Sequence, residues 1–375
     1  MKSKIAFAAG LTAGVLVAMS ATLIAGQVTG LIDFTAGTPA KASEVNGNFT
    51  AVKTAVDDNN ARIAALEALL AGVTRTTLNG EPTVRFSGVN VQIVNGLGST
   101  TGTNGKGNLI VGYDEPRGGT TFFCSIGTDL GNNPISPSNS PTPPAACTAA
   151  GGTWAVSHKS GSHYLVVGDR NNYSQAAGIV VGTSNTSNNT YASVSGGQLN
   201  TASGTYASVS GGSGNTASAL FTSASGGINN TASRQGASVS GGDSNIASGQ
   251  HASVSGGLSN TASGDGASVS GGVLNTAGGD GASVSGGRSN TAGGGIASVS
   301  GGQNNTAGAA GASVSGGDSN TASGSNASVS GGRNNSAGGS AASVSGGRGC
   351  DSGATSDKWF VGDTGTFSCN ATLQN

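Results

Sequence analysis

The sequence predicts a mainly β protein, in which a parallel β-roll or β-solenoid of 15-residue coils follows a short coiled-coil helix. Val recurs with this fixed period over positions 194–344, and Ala224 is the single substitute. A Gly-Gly pair recurs at all 11 expected places in the same phase. No aromatic residue lies between Phe221 and Trp359, so this stretch needs a thin repeat stack instead of an ordinary globular core.

Each coil is predicted to contain two short strands, as in 192–195 (Ala-Ser-Val-Ser) and 200–203 (Asn-Thr-Ala-Ser). Because side chains alternate along a strand, Ala and Val point into a narrow core, while Ser and Thr point outward. We expect Gly196-Gly197 and Gly204 to form the tight turns, since glycine adopts positive φ without strain. At about 4.8 Å per coil, the repeats would form a rod roughly 50 Å long.

An unbroken asparagine column runs through the repeats, and disordered linkers have no reason to keep such a phase. It comprises Asn185, Asn200, Asn215, Asn230, Asn245, Asn260, Asn275, Asn290, Asn305, Asn320 and Asn335. Stacked Asn side chains can hydrogen-bond from coil to coil, and such ladders stabilise stacked strands. We therefore expect a structural ladder in preference to a ligand site.

Composition and residue placement argue against several classes of function. Lys and Arg total 16 and Asp and Glu total 17, so the net charge of −1 gives no basic surface for nucleic acid. The acids of the repeats (Asp243, Asp265, Asp280 and Asp318) do not cluster, and His251 stands alone, so we expect no enzyme active site and no small-molecule substrate. No zinc or calcium motif is visible, and no cofactor is expected.

The N-terminus indicates export. Lys2 and Lys4 precede an uncharged stretch, so residues 1–26 are typical of a signal peptide or an uncleaved N-terminal anchor. We expect an extracellular or bacterial cell-surface location. The even cysteine count suits disulfides in such a compartment. Three connectivities are possible, of which Cys124–Cys147 and Cys350–Cys369 are the most economical.

A heptad pattern predicts a coiled-coil helix over residues 43–73. The seam residues, spaced alternately by four and three, are Val45, Phe49, Val52, Val56, Asn59, Ile63, Leu66, Leu70 and Val73. Ser43 is the candidate N-cap. Asn59 forms a polar layer that would fix register and oligomeric state. Self-association is favoured, and an amphipathic helix packed on its own domain is the alternative.

The remaining segments follow from composition. Residues 74–112 are predicted to be a β-rich neck, with strands within 83–95. Residues 113–162 contain two cysteines and a proline-rich stretch at 134–144, and they are predicted to be a disulfide-closed insertion loop, either a contact region or decoration. The β-roll domain covers 163–349. Residues 350–375 suit a C-terminal cap, with Trp359, Phe360 and Phe367 as apolar cover.

The repeat resembles a known family. The Ser-Val-x-x-Gly…Ala-x-Gly period, together with Ile-Val-Val-Gly at 179–182, is similar over 164–349 to the YadA-like head repeat of trimeric autotransporter adhesins. The resemblance implies a left-handed parallel β-roll, three chains side by side on a coiled-coil trimer, an anion held at Asn59, and binding to host matrix or surfaces. Here the helix precedes the repeats. The short segment 350–375 lacks the family's membrane anchor, so we expect release or attachment through the N-terminal segment.

Two functions remain. The first is an exported surface or secreted structural and adhesion protein that presents a repetitive trimeric β-roll. Its partners would be itself, as a homotrimer, and extracellular matrix, a glycan or a cell surface. The alternative is an ice- or crystal-surface-binding β-solenoid, which would use the hydroxyl arrays of the Ser193/Ser195 and Thr201/Ser203 columns.

Overall fold

The computed structural model describes residues 27–128, 135, 138, 140, 142–362 and 369–371. This described part is mainly β, with two helices and a parallel β-solenoid of about 13 turns spaced about 15 residues apart. The predicted β-solenoid is thereby confirmed. The signal peptide or anchor predicted over 1–26 lies outside the described residues. Within the described ranges, no helix has the length and apolar character needed to cross a membrane. The chain divides into two compact units between Gln92 and Ile93.

The N-terminal unit contains a helix and a hairpin. Helix α1 spans Ala42–Leu69, so Ser43 lies within the first turn and is not the N-cap. Strands β1 (Val73–Leu78) and β2 (Glu81–Phe86) pair antiparallel. Their turn is Asn79-Gly80, with φ of 52° and 88°, as expected for Asn-Gly in a two-residue hairpin. The seam residue Val73 therefore starts a strand, and the helix ends earlier than the predicted range of 43–73.

The second unit begins with the first solenoid strand and the insertion. The strands predicted within 83–95 are only partly present, because no strand is assigned between Phe86 and β3 (Leu109–Val111). In the insertion, β4 (Phe123–Cys124) pairs antiparallel with β5 (Trp154–Ala155), and α2 spans Ala145–Ala149.

The first turns of the solenoid have a shorter period than the rest. They contain β6 (Ser162–Asp169), β7 (Asn172–Tyr173), β8 (Ala176–Thr183) and β9 (Thr186–Ser187). Strands β6 and β8 pair in parallel with Leu165 opposite Ile179. The spacing along the chain between these paired residues is one residue shorter than in the later turns, where Ser193 lies opposite Ser208.

The later turns each contribute two strands of two residues. The even-numbered strands β10–β30 are Ser193–Val194, Ser208–Val209, Ser223–Ala224, Ser238–Val239, Ser253–Val254, Ser268–Val269, Ser283–Val284, Ser298–Val299, Ser313–Val314, Ser328–Val329 and Ser343–Val344. The odd-numbered strands β11–β29 are Thr201–Ala202, Thr216–Ala217, Thr231–Ala232, Ile246–Ala247, Thr261–Ala262, Thr276–Ala277, Thr291–Ala292, Thr306–Ala307, Thr321–Ala322 and Ser336–Ala337.

These strands form two long sheets around a narrow core. The even-numbered strands belong to a 16-stranded sheet and the odd-numbered ones to a 12-stranded sheet. Single parallel bridges, such as Gln198↔Ser213, continue along a third side. Ala192, Val194 and Ala202 are completely buried, and their counterparts repeat this on the later turns. The core of stacked Val and Ala is thus as predicted.

The turn chemistry differs from the prediction in one respect. Gly197 has a φ of 79°, but neither Gly196 nor Gly204 lies in the left-handed region. The other left-handed corners are occupied by Leu199 (φ 56°) and Tyr206 (φ 58°). Gly204 is small for a different reason, because a Cβ there would overlap the carbonyl of the next turn.

The C-terminal segment covers the last turn. Strand β31 (Trp359–Gly362) pairs in parallel with β30, and β32 (Cys369–Ala371) pairs antiparallel with β31. Phe360 is buried against the Val and Ala core, whereas Trp359 remains 45% exposed. The backbone pairing is consistent with the predicted cap, and Phe367 lies outside the described residues.

Candidate functional site

The asparagine column forms a ladder between side chains and backbone. At Asn275, Nδ2 donates to the carbonyls of Gly271 (2.9 Å) and Gly287 (3.0 Å). Its Oδ1 accepts the backbone N–H of Asn290 at 3.0 Å. All eleven Asn residues from Asn185 to Asn335 are at most 1% exposed. The ladder therefore satisfies buried backbone groups in successive turns and presents no surface to a ligand.

The ladder extends beyond the repeat at both ends. Asn171 Oδ1 accepts the N–H of Asn185, and Asp114 Oδ1 in turn accepts the N–H of Asn171, both at 3.0 Å. At the other end, the N–H of Cys350 donates to Asn335 Oδ1 at 2.9 Å. Sequence reasoning missed Asn171 because it stands one residue out of phase with the column, and it missed Asp114 because that residue comes from the insertion.

A cluster of titratable side chains surrounds Asp114. Its Oδ2 lies 2.6 Å from Lys159 Nζ, which also donates to the carbonyl of Asn171 (3.0 Å). The Lys159 ammonium lies 5.6 Å from the centroid of the Tyr173 ring. Burial, reinforced by the Asp114 charge, raises the pKa of Tyr173 to about 12. Asp114, at the N-terminal end of the ladder, is therefore held by an ion pair with Lys159.

Arg117, in the insertion, hydrogen-bonds to the first turns of the solenoid. Its guanidinium donates to the carbonyl of Asn185 (2.9 Å) and to Thr186 Oγ1 (3.1 Å), and it lies 4.9 Å from the centroid of the Phe123 ring. Burial lowers the pKa of Arg117 to about 10, against the opposing effect of Asp114. The buried guanidinium thus exchanges its contacts with water for contacts to Asn185 and Thr186 in the first turns and to Phe123 in the insertion.

His158 makes a second connection. One ring nitrogen, Nε2, lies 2.9 Å from the carbonyl of Phe123, and the backbone N–H donates to Asn172 Oδ1 at 3.0 Å. Burial lowers the pKa of His158 below its ordinary value of 6.5, and the neighbouring Arg117 charge adds to the effect. The neutral imidazole is therefore the form that suits the docked insertion.

The structure places the cysteines as follows. Cys124 and Cys147 form a disulfide with a Cα–Cα distance of 5.8 Å, and both are buried. Cys350 is also disulfide-bonded. The side chain of Cys369 lies outside the described part of the chain, so the Cys350–Cys369 bond stays a prediction. The Cys124–Cys147 bond closes the insertion beside the first turns.

The acidic residues of the repeats are engaged along the solenoid. Asp265 Oδ1 accepts the N–H of Gln250 at 2.9 Å, and Asp280 Oδ1 accepts the N–H of Asp265 at 3.1 Å. Asp318 lies 3.4 Å from Arg333. Among the described residues, no three His, Cys, Asp or Glu side chains are grouped as a metal site. These carboxylates support successive turns.

Two unbroken serine columns lie on one face. Each even-numbered strand from β10 to β30 begins a Ser-x-Ser unit in register, because Ser193 pairs with Ser208 and every later turn repeats the pairing. Ser193 is half-buried, and Ser195 is exposed. On the second sheet, Thr201 pairs with Thr216 in the same manner. The predicted Ser193/Ser195 array is therefore regular and accessible. The predicted Thr201/Ser203 array is not, because Ser203 and Ser218 are buried, Ile246 interrupts the Thr column and glycine replaces Ser203 on several later turns.

An aromatic ladder occupies one corner of three consecutive turns. It consists of Tyr191, Tyr206 and Phe221, whose ring centroids are 5.2 and 5.1 Å apart with interplanar angles of 15° and 13°. The three side chains are 39%, 49% and 57% exposed. The 15-residue period could have revealed this column, because the three residues share one phase.

The predicted seam of α1 is exposed. Phe49, Ile63 and Leu66 are 69%, 52% and 56% exposed, and Asn59 is exposed among them. This apolar stripe is a further accessible surface, and it lies in the N-terminal unit.

Comparison with protein-family models and with curated proteins finds no match to this chain. The surfaces of the solenoid and of α1 are therefore the features from which a function can be inferred.

Proposed function

We propose that this chain is an exported structural or adhesion protein, which presents the faces of its solenoid as a homotrimer. The observation that carries the proposal is the register of about 13 turns, which repeats each exposed column along the whole rod. Such a surface can make many weak contacts at once. Three chains held together would further raise the effective concentration of each contact.

Self-association is proposed through α1. Its seam places large apolar side chains in water at heptad spacing, and burial against other copies would remove that surface from solvent. A polar Asn59 layer lowers stability but favours one register and one oligomeric state. The trimer is chosen over a dimer because of the resemblance to trimeric adhesin heads.

Export is supported by the cysteines. A buried disulfide that closes a surface insertion persists in oxidising compartments and is rare in reducing ones. Together with the charge pattern of residues 1–26, this favours an extracellular or cell-surface location.

The oligomeric state tests the first part of the proposal. The full chain should be expressed with export to an oxidising compartment. Its molecular mass, measured by light scattering after size exclusion, should be three times that of the monomer. The variant Ile63→Asp should reduce that mass, because it places a charge in the seam. Arg62→Ala, an exposed substitution next to the seam, is the matched control. A monomeric wild-type chain would contradict the trimer.

Adhesion tests the second part. The purified chain should bind immobilised matrix proteins, glycans or whole cells more strongly than Ile63→Asp does, because multivalency raises the apparent affinity. Equal binding by trimer and monomer would contradict a multivalent mechanism. Absence of binding to every surface would contradict adhesion itself.

A second candidate function is binding to an ordered surface such as ice. The observation in its favour is the pair of unbroken Ser columns, with turns repeating about every 4.8 Å. Thermal hysteresis would measure it. Ser255→Lys, in the middle of the face, should abolish any hysteresis, whereas Gln303→Lys on another side should not. Hysteresis without adhesion would favour this candidate over the first.

A further inference from the structure

The two serine columns begin and end in apolar side chains. In the first turns, large aliphatic residues hold the positions that Ser193 and Ser195 occupy later, because β3, β6 and β8 pair in register with β10. After the last serine turn, β31 brings Trp359 and Val361 to the same positions. We call the two columns, together with their apolar ends, the serine face. Its aliphatic members are Leu109, Val111, Leu165, Val167, Ile179 and Val181.

Both apolar ends of the serine face are open to solvent. Leu109, Ile179 and Trp359 are 50%, 40% and 45% exposed. They point outward because side chains alternate along a strand, and the residue between the two columns, such as Val180 or Phe360, is buried in the core instead. Large apolar side chains that are grouped and exposed mark a contact surface. The serine face carries such a group at each end.

A glycine column runs beside the serine face. Gly211, Gly226 and Gly241 each follow the second serine of their turn, and none has a φ in the left-handed region. A Cβ at these positions would have no atom of the chain within 4 Å. The position is glycine on every turn from β10 to β30, although only the last three members, which begin at Gly316, have a φ that favours glycine. Packing within one chain does not explain the earlier members, whereas close approach of another backbone does.

The serine face carries no charge, unlike other sides of the solenoid. Every residue of its two columns lies in the described part of the chain, and none is ionisable. Charged side chains stand elsewhere, for example Arg288 and Asp318 on the third side. A face of this kind offers no complementary charge to an ionic partner, and it needs no counter-charge when it is buried. It therefore suits a partner surface that is itself uncharged.

The spacing of the two apolar ends selects the partner. At about 4.8 Å per turn, about 58 Å separates Ile179 from Trp359 along the rod. A partner that covers both ends, and the serine and glycine columns between them, must repeat at the same interval. A second copy of this chain, parallel and in register, does so, because its aliphatic end meets the aliphatic end and its tryptophan end meets the tryptophan end.

We infer that the serine face is the surface through which the solenoids of the homotrimer pack on one another. The inference rests on the homotrimer proposed above and names the face that the other copies cover. Serine suits this contact, because a hydroxyl both donates and accepts and can pair with a hydroxyl of another copy. The second sheet and the third side are then left open for a target. The ice-binding alternative is incompatible with this packing, because it needs the serine face in contact with the ordered surface.

Cross-linking of single-cysteine variants of the full chain tests the packing. Ser255→Cys places one thiol in the middle of the serine face. A short bis-maleimide should then join two of the three chains, so that covalent dimers appear on a denaturing gel, and their yield should not fall on dilution. Gln303→Cys, which is exposed on the third side, is the matched control and should give only the background of random collisions.

A charge in the apolar end separates this packing from association through α1. Ile179→Lys, added to Ser255→Cys, should reduce cross-linking to the background, because a charge between packed chains is costly to bury. Ile228→Lys is the control, because Ile228 is also apolar and exposed but lies on the third side, and it should leave cross-linking unchanged. Both isoleucines are exposed in the single chain, so both variants should keep the wild-type circular dichroism spectrum.

Three results would overturn the inference. They are a trimeric mass without cross-linking of Ser255→Cys, equal cross-linking of Gln303→Cys, and unchanged cross-linking when Ile179→Lys is added. If the chain in these cases is still trimeric and adhesive, the proposed function stands and only the packing face is wrong. A monomeric mass would overturn the homotrimer and this packing together. Cross-linking without adhesion would support the packing and contradict the adhesive function.

Discussion

Replacing Asn305 with alanine tests whether the ladder holds neighbouring turns together. Its Nδ2 donates to the carbonyls of Gly301 (2.8 Å) and Gly317 (3.0 Å), and its Oδ1 accepts the N–H of Asn320 (3.0 Å). The Gly317 carbonyl also accepts the N–H of Gln303, so it keeps a partner in the variant. The Asn320 N–H and the Gly301 carbonyl lose the partner that the side chain supplied.

A buried polar group without a partner costs about 1–3 kcal/mol, and the half-buried Gly301 carbonyl costs less than the buried Asn320 N–H, so Asn305→Ala should lower the free energy of unfolding by about 1–4 kcal/mol. For a domain of this size, a loss of about 4 kcal/mol corresponds to a melting temperature lower by about 8–16 °C. Circular dichroism at fixed protein concentration measures the shift, and hydrogen exchange should show faster exchange of the Asn320 amide.

The control for this prediction is Gln303→Ala, an exposed position two residues away. It should change stability by no more than about 0.5 kcal/mol. A loss below about 1 kcal/mol in Asn305→Ala, or an equal loss in the control, would refute the reasoning, because the ladder would then be incidental to stability.

Other perturbations give equally direct outcomes. Gly272→Ala should destabilise the protein by several kcal/mol, because Gly272 has a φ of 88° and an added Cβ would overlap the next turn. Gly271→Ala is the control and should be tolerated, because a Cβ there would have no atom within 4 Å. Equal losses of stability in chemical denaturation would contradict this prediction. Since burial lowers the pKa of His158 below 6.5, docking of the insertion should be strongest above about pH 6.5. It should weaken as the pH falls below that value, because the released imidazole then takes up a proton that the docked one does not; hydrogen exchange should detect the change, and His158→Gln should not show it. Reduction of Cys124–Cys147, which spans a separation of 23 residues, should destabilise the insertion by about 3 kcal/mol, and limited proteolysis should then cut there while the turns stay resistant.

Sequence reasoning was most informative where the chain repeats. A fixed period brings equivalent residues into one column, so the inward direction of Val194 and Ala202 followed from alternation alone. The turn geometry did not follow. Leu199 and Tyr206 form left-handed corners in two exposed columns whose residue types vary, so the residue type does not predict the backbone conformation. Gly204 is constrained by a contact between turns, which the sequence does not reveal.

The least predictable part is the cluster around Asp114. Asp114, Arg117, Lys159 and Tyr173 come from the insertion and from a turn outside the regular period, and no spacing in the sequence relates them. Only the folding of the insertion onto the first turns brings them together. The coiled-coil role of α1 and the polar layer at Asn59 stay predictions, because they depend on other copies of the chain.

The ladder also makes the regular turns, those with the 15-residue period, interchangeable with one another. Each asparagine donates its backbone N–H to the side chain of the turn before, and its Oδ1 accepts the N–H of the turn after. At the two ends of the ladder, Asp114 and Cys350 take the place of an asparagine. A duplication or deletion of one 15-residue unit therefore leaves both ends intact and changes the reach of the rod by about 4.8 Å. The length of the solenoid can therefore change in steps of one turn through replication slippage, because each added turn uses the same Val and Ala core.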